Sequence, residues 1–176
     1  MERPKITIPL TPADKIVEAI NAIALISFWT MLLLNYPKLP DVIPIHYNAS
    51  GTVDNFGNKA SLFVLPIIAT LISVGFRYLS KIPHTFNYVV EIDTANAANQ
   101  YTIATRMMRY IKLSVTCVFF LIFYKTVQIV DGNADALGSY FLILTLAMIF
   151  LPIFYFLIQS VRSTWKLFEV RTVMRI

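Results

Sequence analysis

Four long apolar runs, separated by polar stretches, dominate the pattern along the chain. Each run has 20 or more residues, and they occupy residues 16–36, 61–80, 110–130 and 139–161. A helix rises 1.5 Å per residue, so about 20 residues are enough to cross about 30 Å of hydrocarbon. The pattern therefore predicts an all-α integral membrane protein, with one membrane domain over residues 1–176 and four transmembrane helices.

The first run has an alternative interpretation, because Arg3, Lys5 and Lys15 precede it as basic residues precede the apolar part of a secretory signal peptide. Its apolar stretch is longer than the usual 7–15 residues, and no small-x-small cleavage site follows Leu34. These features favour an uncleaved helix.

Composition supports lipid as the surroundings of this chain. Apolar residues make up 57% and charged residues 14%, against about 45–50% and about 25% in soluble domains. The single cysteine, Cys117, lies inside an apolar run and cannot form an intrachain disulfide or a cysteine metal cluster.

The basic residues are distributed unevenly around the four runs. If the N-terminus is cytoplasmic, twelve of the 15 Lys and Arg lie on the cytoplasmic side, and only Lys38, Lys59 and Lys125 lie on the other. The positive-inside rule then predicts a bacterial cytoplasmic (inner) membrane protein with both termini inside, and argues against dual topology. It also accounts for the net charge of +5 without nucleic acid as a partner.

Charged residues also fall within the apolar runs, where charge is costly. Glu18, Lys112 and Lys125 lie close enough to the ends to extend their charged groups to the interface. We expect Glu18 to pair with Arg109, Lys112 or Arg162. For Lys125 two interpretations stay open, a structural anchor or a contact in a site on the outer side.

The uncharged polar residues of the runs are expected to join helices by hydrogen bonds, and no acidic chain that could relay protons crosses the membrane centre. These residues are Asn21, Asn35, Thr116 and Gln159. Pro66 and Pro152 each remove a helical hydrogen bond, so we expect a kink at both.

The segment between the first two runs, residues 37–59, is longer than a turn requires and is expected to lie outside the cell as an ordered, proline-rich loop. Prolines bias it towards extended backbone. Ile43, Ile45 and Tyr47 alternate with polar positions, which predicts an extended ribbon with one face on the helices. Turns are expected at residues 48–51 and 55–57.

Asp41, His46 and Asp54 are the loop residues with chemistry to offer. Imidazole and carboxylate groups suit a divalent metal, although the irregular spacing is a weak signal. They could also serve acid–base catalysis, stabilise turns by hydrogen bonds, or contact a ligand at the outer face. The residues alone leave these possibilities open.

The inner segment, residues 82–109, contains a second pattern. Asp93 or Thr94 can cap a helix that continues into the third span, and whose apolar side carries Ala97, Tyr101, Ala104, Met108 and Ile111. Such a helix either lies at the interface or provides a docking surface for a cytoplasmic regulator.

The run LPDVIPIHYNASGTVDNFGNK, residues 39–59, resembles the membrane domain found in the N-terminal half of SdpI-type immunity proteins and in many stand-alone bacterial membrane proteins. The resemblance rests on Leu39, Pro40, Asp41, Ile43, Pro44, His46, Asn48, Gly51, Asp54, Phe56 and Lys59. It extends over residues 15–125 through Phe86, Asn87, Tyr88, Asn96, Gln100 and Tyr101.

This resemblance implies a non-enzymatic protein that gives immunity to a secreted peptide toxin and, when occupied, recruits a winged-helix repressor. Four spans leave no room for a second membrane half, which argues against repressor recruitment. We therefore expect a ligand-sensing or immunity-type protein that engages an extracellular peptide or lipophilic ligand through residues 37–59, with the lipid bilayer as partner and no cofactor. The alternatives are a small oligomeric transporter or transporter subunit and a metal-dependent membrane enzyme.

Overall fold

Four long helices account for most of the chain in a computed structural model that describes the backbone of residues 2–173 and the side chains of residues 2–165. The helices are α1 (Pro12–Asn35), α2 (Val64–Leu79), α3 (Ala97–Val130) and α4 (Phe141–Val173). With the turn Lys59–Phe63 in front of α2, all four are long and apolar enough to cross a membrane. The predicted helical set is confirmed at this level.

Three residues of the basic C-terminal tail entered the charge count but lie outside the described side chains. They are Lys166, Arg171 and Arg175.

The all-α prediction is incomplete, because residues 37–59 contain a two-stranded antiparallel sheet. Strand β1 (Val42–Tyr47) pairs with β2 (Val53–Asn58), with Val42 opposite Asn58 and Tyr47 opposite Val53. The predicted extended ribbon is therefore one strand of a hairpin. We call the end of the bundle that carries this hairpin the hairpin end, and the opposite end, which carries residues 2–11 and 80–96, the terminal end.

The expected alternation of buried and exposed residues along β1 is wrong at Pro44 and Ile45. Ile43 is buried as predicted, but Pro44 beside it is also buried and Ile45 is exposed. The cause is an irregularity in the register between Pro44 and His46, where a proline without an N–H cannot continue the ladder. The irregularity changes which residues face the helices.

An isolated hairpin is marginally stable in water, and this one is held by a hydrophobic cluster at the hairpin end. Ile43 and Leu39 are buried against α1, α3 and the turn before α2. The cluster consists of Phe28, Leu32, Leu39, Ile43, Leu62, Phe123 and Val127. The hairpin therefore shares its core with the helix bundle.

Local capping sets where the helices begin. Thr11 and Asp14 form a reciprocal capping box at the start of α1. Asp93 accepts hydrogen bonds from the N–H groups of Ala95 and Asn96, immediately before α3 begins at Ala97. From Ala97 the helix runs for 34 residues without interruption, so the end of the inner segment, from Ala97 onwards, and the third span are one helix.

The two prolines of the apolar runs occupy different places. Pro66 is the third residue of α2, where a backbone N–H has no partner within the helix, so the predicted loss of a helical hydrogen bond is wrong there. Pro152 lies inside α4, where the bond is lost.

Helix α3 is central, since it packs against α1, α2 and α4. Asn21 on α1 donates to Ser73 on α2 over 3.1 Å and accepts from Thr116 on α3 over 3.0 Å, so these two predicted polar contacts between helices are present. Asn35 instead bonds the carbonyl of Met31 in its own helix. Gln159 is exposed and has no hydrogen bond among the described side chains.

The polar residue that joins α3 to α4 is Gln100, which sequence analysis did not assign to this role. Its side chain is 1% exposed. Gln100 Nε2 donates to the carbonyl of Ser160 and to the hydroxyls of Ser163 and Thr164, and its Oε1 accepts from the Ser160 hydroxyl. All of its polar atoms are therefore satisfied in the interior.

A network of charged side chains joins α1 to α3 near the terminal end. Lys112 Nζ lies 2.6 Å from Glu18 Oε2, and Arg109 Nε lies 3.5 Å from Glu18 Oε1. Asp14 lies 3.1 Å from Arg106 and 3.6 Å from Arg109. The expected pairing of Glu18 is thus present with two of its three candidates.

Lys112 does not extend its charge to an interface as predicted. Its side chain is 2% exposed and its ammonium group is turned to Glu18. The carboxylate of Glu18 offers a partly buried counter-charge within hydrogen-bond reach, which removes the need of the Lys112 ammonium group to reach water.

Glu18→Gln should lower the free energy of unfolding by about 3 kcal/mol, because it leaves the buried Lys112 charge without its anion. The double variant Glu18→Gln with Lys112→Met should recover part of that loss. Thermal or denaturant unfolding of the purified protein in mild detergent measures both. Glu91→Gln, at an exposed glutamate, is the matched control and should have little effect. Equal losses for Glu18→Gln and Glu91→Gln would contradict the role of the pair.

Gly51→Ala should destabilise the contact between the hairpin tip and residues 131–140. Gly51 has φ +80°, and a Cβ there would lie 2.7 Å from the carbonyl oxygen of Gly138. Gly132 has a similar φ of +73° but open space around it, so Gly132→Ala carries only the backbone strain. Hydrogen exchange at the Leu137 amide, which donates to the Gly51 carbonyl, should accelerate more in Gly51→Ala than in Gly132→Ala.

Candidate functional site

The residues of the sequence motif all lie in or beside the hairpin, but the structure places them in three separate groups. One group fastens the base, one shapes the turn and one faces outward from the strands. The motif residues considered in the sequence analysis are Pro40, Asp41, Pro44, His46, Asn48, Gly51, Asp54 and Lys59.

At the base of the hairpin, Lys59 joins the two chain segments. Its Nζ donates to the carbonyl of Leu39 over 2.8 Å, lies 3.3 Å from Asp41 Oδ1 and sits 5.2 Å from the centre of the Tyr36 ring. Pro40, which is exposed, lies in the sequence between Leu39 and Asp41. Asp41 and Lys59 therefore act on the hairpin itself, closing its open end.

In the turn, Asn48 organises the backbone. Its side-chain Oδ1 accepts from the N–H groups of Ser50 and Thr52, and its own N–H donates to the carbonyl of Thr52. Gly51 supplies the positive φ that the turn needs and accepts a bond of 2.8 Å from the amide of Leu137. The turn is thereby held against the segment that joins α3 to α4.

The outward group is a histidine–carboxylate pair. His46 Nδ1 on β1 lies 2.5 Å from Asp54 Oδ1 on β2, and both side chains are solvent-accessible. Such a bond fixes the orientation of the ring and the tautomer it carries. It is the only hydrogen bond of the His46 ring within residues 2–165, so no hydroxyl or thiol nucleophile is joined to it there.

The three candidates for metal binding do not come together. Asp41 lies with Lys59 at the base of the hairpin, away from the pair of His46 and Asp54. Within the described side chains, no group of three or more His, Cys, Asp or Glu is placed to hold a metal ion. His46 and Asp54 alone offer two ligands, fewer than the three or four protein ligands usual for zinc.

A cavity of about 500 Å³ lies between the hairpin and the helices. Its walls come from β1 and the turn, the start of α2, the last turns of α3 and the start of α4. Most of the lining is apolar. The lining includes Pro44, His46, Tyr47, Leu65, Ile122, Thr126, Leu137 and Leu142.

One polar contact crosses this cavity wall. The hydroxyl of Tyr47 on β1 and that of Thr126 on α3 are 2.6 Å apart. Burial raises the pKa of the Tyr47 phenol, so the group is neutral at physiological pH and can donate or accept a hydrogen bond. Sequence analysis missed the contact, because 79 positions separate the two residues and no local pattern links them.

Lys125, for which a role in an outer site was left open, does not line this cavity. It is half-buried on α3 and forms no ion pair or hydrogen bond with other described side chains. The structure provides it with no partner in the proposed outer site.

The apolar side of the early part of α3 is used inside the protein. Ala97 and Tyr101 are buried in a small cluster with Ile92, against which Tyr88 packs. The hydroxyl of Tyr101 donates a hydrogen bond to the carbonyl of Pro4. Tyr88 is also partly buried here, and this burial raises the pKa of its phenol. These positions contact the chain's own segments instead of forming an open docking face.

Comparison with known proteins places part of the chain in a wider context. Residues 22–70 match a family described as "Domain of unknown function (DUF1648)". This range contains the hairpin, most of α1 and the start of α2. No solved structure matches the chain.

A curated relative from Archaeoglobus fulgidus, described as "Uncharacterized protein", is 32% identical over 77 residues. The aligned part covers 44% of this chain and 42% of that protein, so the chain spans less than half the length of its relative. The chain is thus similar to this archaeal protein, and in its hairpin region to the DUF1648 family.

Proposed function

We propose that the chain is a multi-pass membrane protein and a non-enzymatic receptor that binds a lipophilic ligand in the cavity beneath the hairpin. In this proposal the hairpin faces the outside of the cell and both termini face the cytoplasm. The cavity between the hairpin and the helices is the observation that carries it.

The exposed surface of the helices supports insertion into lipid. The most apolar 18-residue window of α4 has a mean hydropathy of 2.7, yet only 6% of it is buried inside the protein. Large apolar side chains such as Ile143, Leu151 and Phe154 are more than half exposed. In water such a surface would drive aggregation, whereas in a bilayer it is the expected outer face.

The distribution of basic residues supports the orientation. Among residues 2–165, nine of the 12 Lys and Arg fall at or near the terminal end and three towards the hairpin end. Cytoplasmic segments next to membrane helices carry the excess of Lys and Arg. The terminal end is therefore assigned to the cytoplasm.

The size and lining of the cavity support an apolar ligand. Small-molecule sites commonly measure about 300–1,000 Å³ and combine apolar walls with a few placed polar groups. Here most of the lining is apolar, and polar side chains such as His46, Tyr47 and Thr126 are available to orient a ligand. Within residues 2–165 the His46 ring is hydrogen-bonded to Asp54 and to no nucleophile, and this arrangement favours binding over catalysis.

The resemblance to the membrane domain of SdpI-type immunity proteins also supports a receptor function. A protein that intercepts a toxin from outside needs a ligand-sized, outward-facing site close to the bilayer, and this cavity has those properties in the proposed orientation. Immunity is the biological setting that we propose for the receptor.

Labelling of single cysteines tests the orientation. In a Cys117→Ser background, Ser50→Cys in the hairpin turn should react with a membrane-impermeant maleimide in intact cells. Thr94→Cys, exposed at the terminal end, should react only after the cells are permeabilised. The opposite result would place the hairpin in the cytoplasm and remove the receptor proposal.

Filling the cavity should abolish ligand binding. In nanodiscs, a photoreactive diazirine fatty acid should label the hairpin, residues 42–58, in the unmodified protein, and Ile122→Trp should remove most of that labelling because the indole occupies the cavity. Peptide mass spectrometry measures the labelling at each site.

The matched control for this experiment is Leu71→Trp, on an exposed face of α2 outside the cavity. It should leave labelling of the hairpin unchanged. Leu142→Trp, at another lining position on α4, is a second cavity-filling variant in case Ile122→Trp fails to fold, and it should also remove most of the labelling. Unchanged labelling in both cavity variants would overturn the proposed binding site.

A further inference from the structure

A second cavity, of about 560 Å³, lies at the terminal end and has the opposite chemical character. It is bounded by the start of α1, the end of α2, helix α3 and the N-terminal segment. Four of its lining residues are cationic, Lys15, Arg77, Lys81 and Arg109, while Glu18 is its one acidic residue. This cavity is independent of the one beneath the hairpin.

The wall formed by the N-terminal segment is fixed in place by hydrogen bonds. Arg3 Nη1 donates to the carbonyl of Phe86 over 2.5 Å, and the hydroxyl of Tyr101 donates to the carbonyl of Pro4 over 3.1 Å. Ile8 and Leu10, which follow this anchored stretch, line the cavity on that side. The cavity therefore combines a cationic wall with an apolar one.

Acidic side chains among residues 2–165 balance only part of the positive charge of the cavity. The carboxylate of Glu18 is already shared between Lys112 at 2.6 Å and Arg109 at 3.5 Å. The side chains of Lys15, Arg77 and Lys81 form no ion pair or hydrogen bond with any other side chain in the described part of the chain. Three cations thus converge on one cavity without an acidic partner.

Arg109 adds a buried donor to this arrangement. Its side chain is 6% exposed, and its Nε–H has no hydrogen-bond acceptor among the described atoms. The 3.5 Å to Glu18 is an ion-pair distance, longer than the 2.7–3.2 Å of N–H···O hydrogen bonds in proteins. Buried polar groups of this kind usually have a hydrogen-bond partner, and the side chains of residues 2–165 provide none for this one.

We propose that this cavity binds a phosphate-bearing anion, with Lys15, Arg77 and Lys81 around the phosphate and the charge of Arg109 beneath it. Guanidinium and ammonium groups are the usual partners of phosphate oxygens, and the charge-assisted bonds they form are the stronger kind. Ile8 and Leu10 suit the glycerol or acyl part of the same molecule. The phosphate belongs either to the headgroup of an anionic phospholipid or to a soluble phosphate ester.

Two arms of one binding experiment distinguish these sources. In the first, native mass spectrometry in mixed detergent micelles compares retention of phosphatidylglycerol with that of phosphatidylcholine. In the second, glycerol 3-phosphate is titrated calorimetrically onto the protein in phosphatidylcholine nanodiscs. Preferential binding in the first arm identifies a lipid headgroup, and binding in the second identifies a soluble phosphate ester.

The variant Arg77→Gln with Lys81→Gln should weaken binding by about 30-fold, the loss expected from two cations near a phosphate surface. The control Lys5→Gln with Arg162→Gln removes the same net charge from exposed positions that do not line this cavity, and should change binding little. Melting followed by circular dichroism checks that both double variants are folded.

The proposal would be overturned if the protein showed no preference for phosphatidylglycerol in the first arm and did not bind glycerol 3-phosphate in the second. Equal weakening by the two double variants would also overturn it, since the effect would then be one of net charge and not of this cavity. Neither arm depends on the hairpin cavity or on the side of the membrane, so a failure here is distinguishable from a failure of the proposed receptor function.

Discussion

Pairing of buried charge between α1 and α3 is the interaction on which the rest of the structure depends. A carboxylate or ammonium group removed from water requires a partner of opposite charge, and Glu18 and Lys112 form an ion pair with 2.6 Å between Oε2 and Nζ. Asp14 adds contacts to Arg106 and Arg109 one turn away. With α1 fixed on the central helix, the hairpin that follows α1 is brought over the last turns of α3, where Tyr47 meets Thr126.

The two cavities divide the molecule by chemistry. At the hairpin end, mostly apolar walls and a few polar groups suit an apolar ligand, and the motif residues mostly build the hairpin that covers the cavity. At the terminal end, cations without acidic partners suit an anion. Helix α3 contributes to both, through Ile122 and Thr126 in one cavity and Arg109 in the other.

The sequence was informative where a contact follows from local periodicity. The four helices follow from the apolar runs, and Arg109 and Lys112 could be named as partners of Glu18 because three positions apart on a helix they share a face. Contacts between distant segments left no such signal, as for Gln100 with α4. The second strand was missed because β2 is mostly polar. The role of Asp14 as a helix-capping residue could have been predicted, because its spacing to Thr11 is that of a capping box.

The length of α3 has a consequence for how the protein meets the aqueous phase. Its 34 residues extend for about 50 Å, whereas the hydrocarbon layer is about 30 Å thick. If the C-terminal part crosses the bilayer, roughly the first three or four turns project beyond it as a stalk, beside the corresponding part of α4. In that arrangement Gln100, with its bonds to Ser160, Ser163 and Thr164, would lie within the stalk and join the two helices outside the hydrocarbon layer.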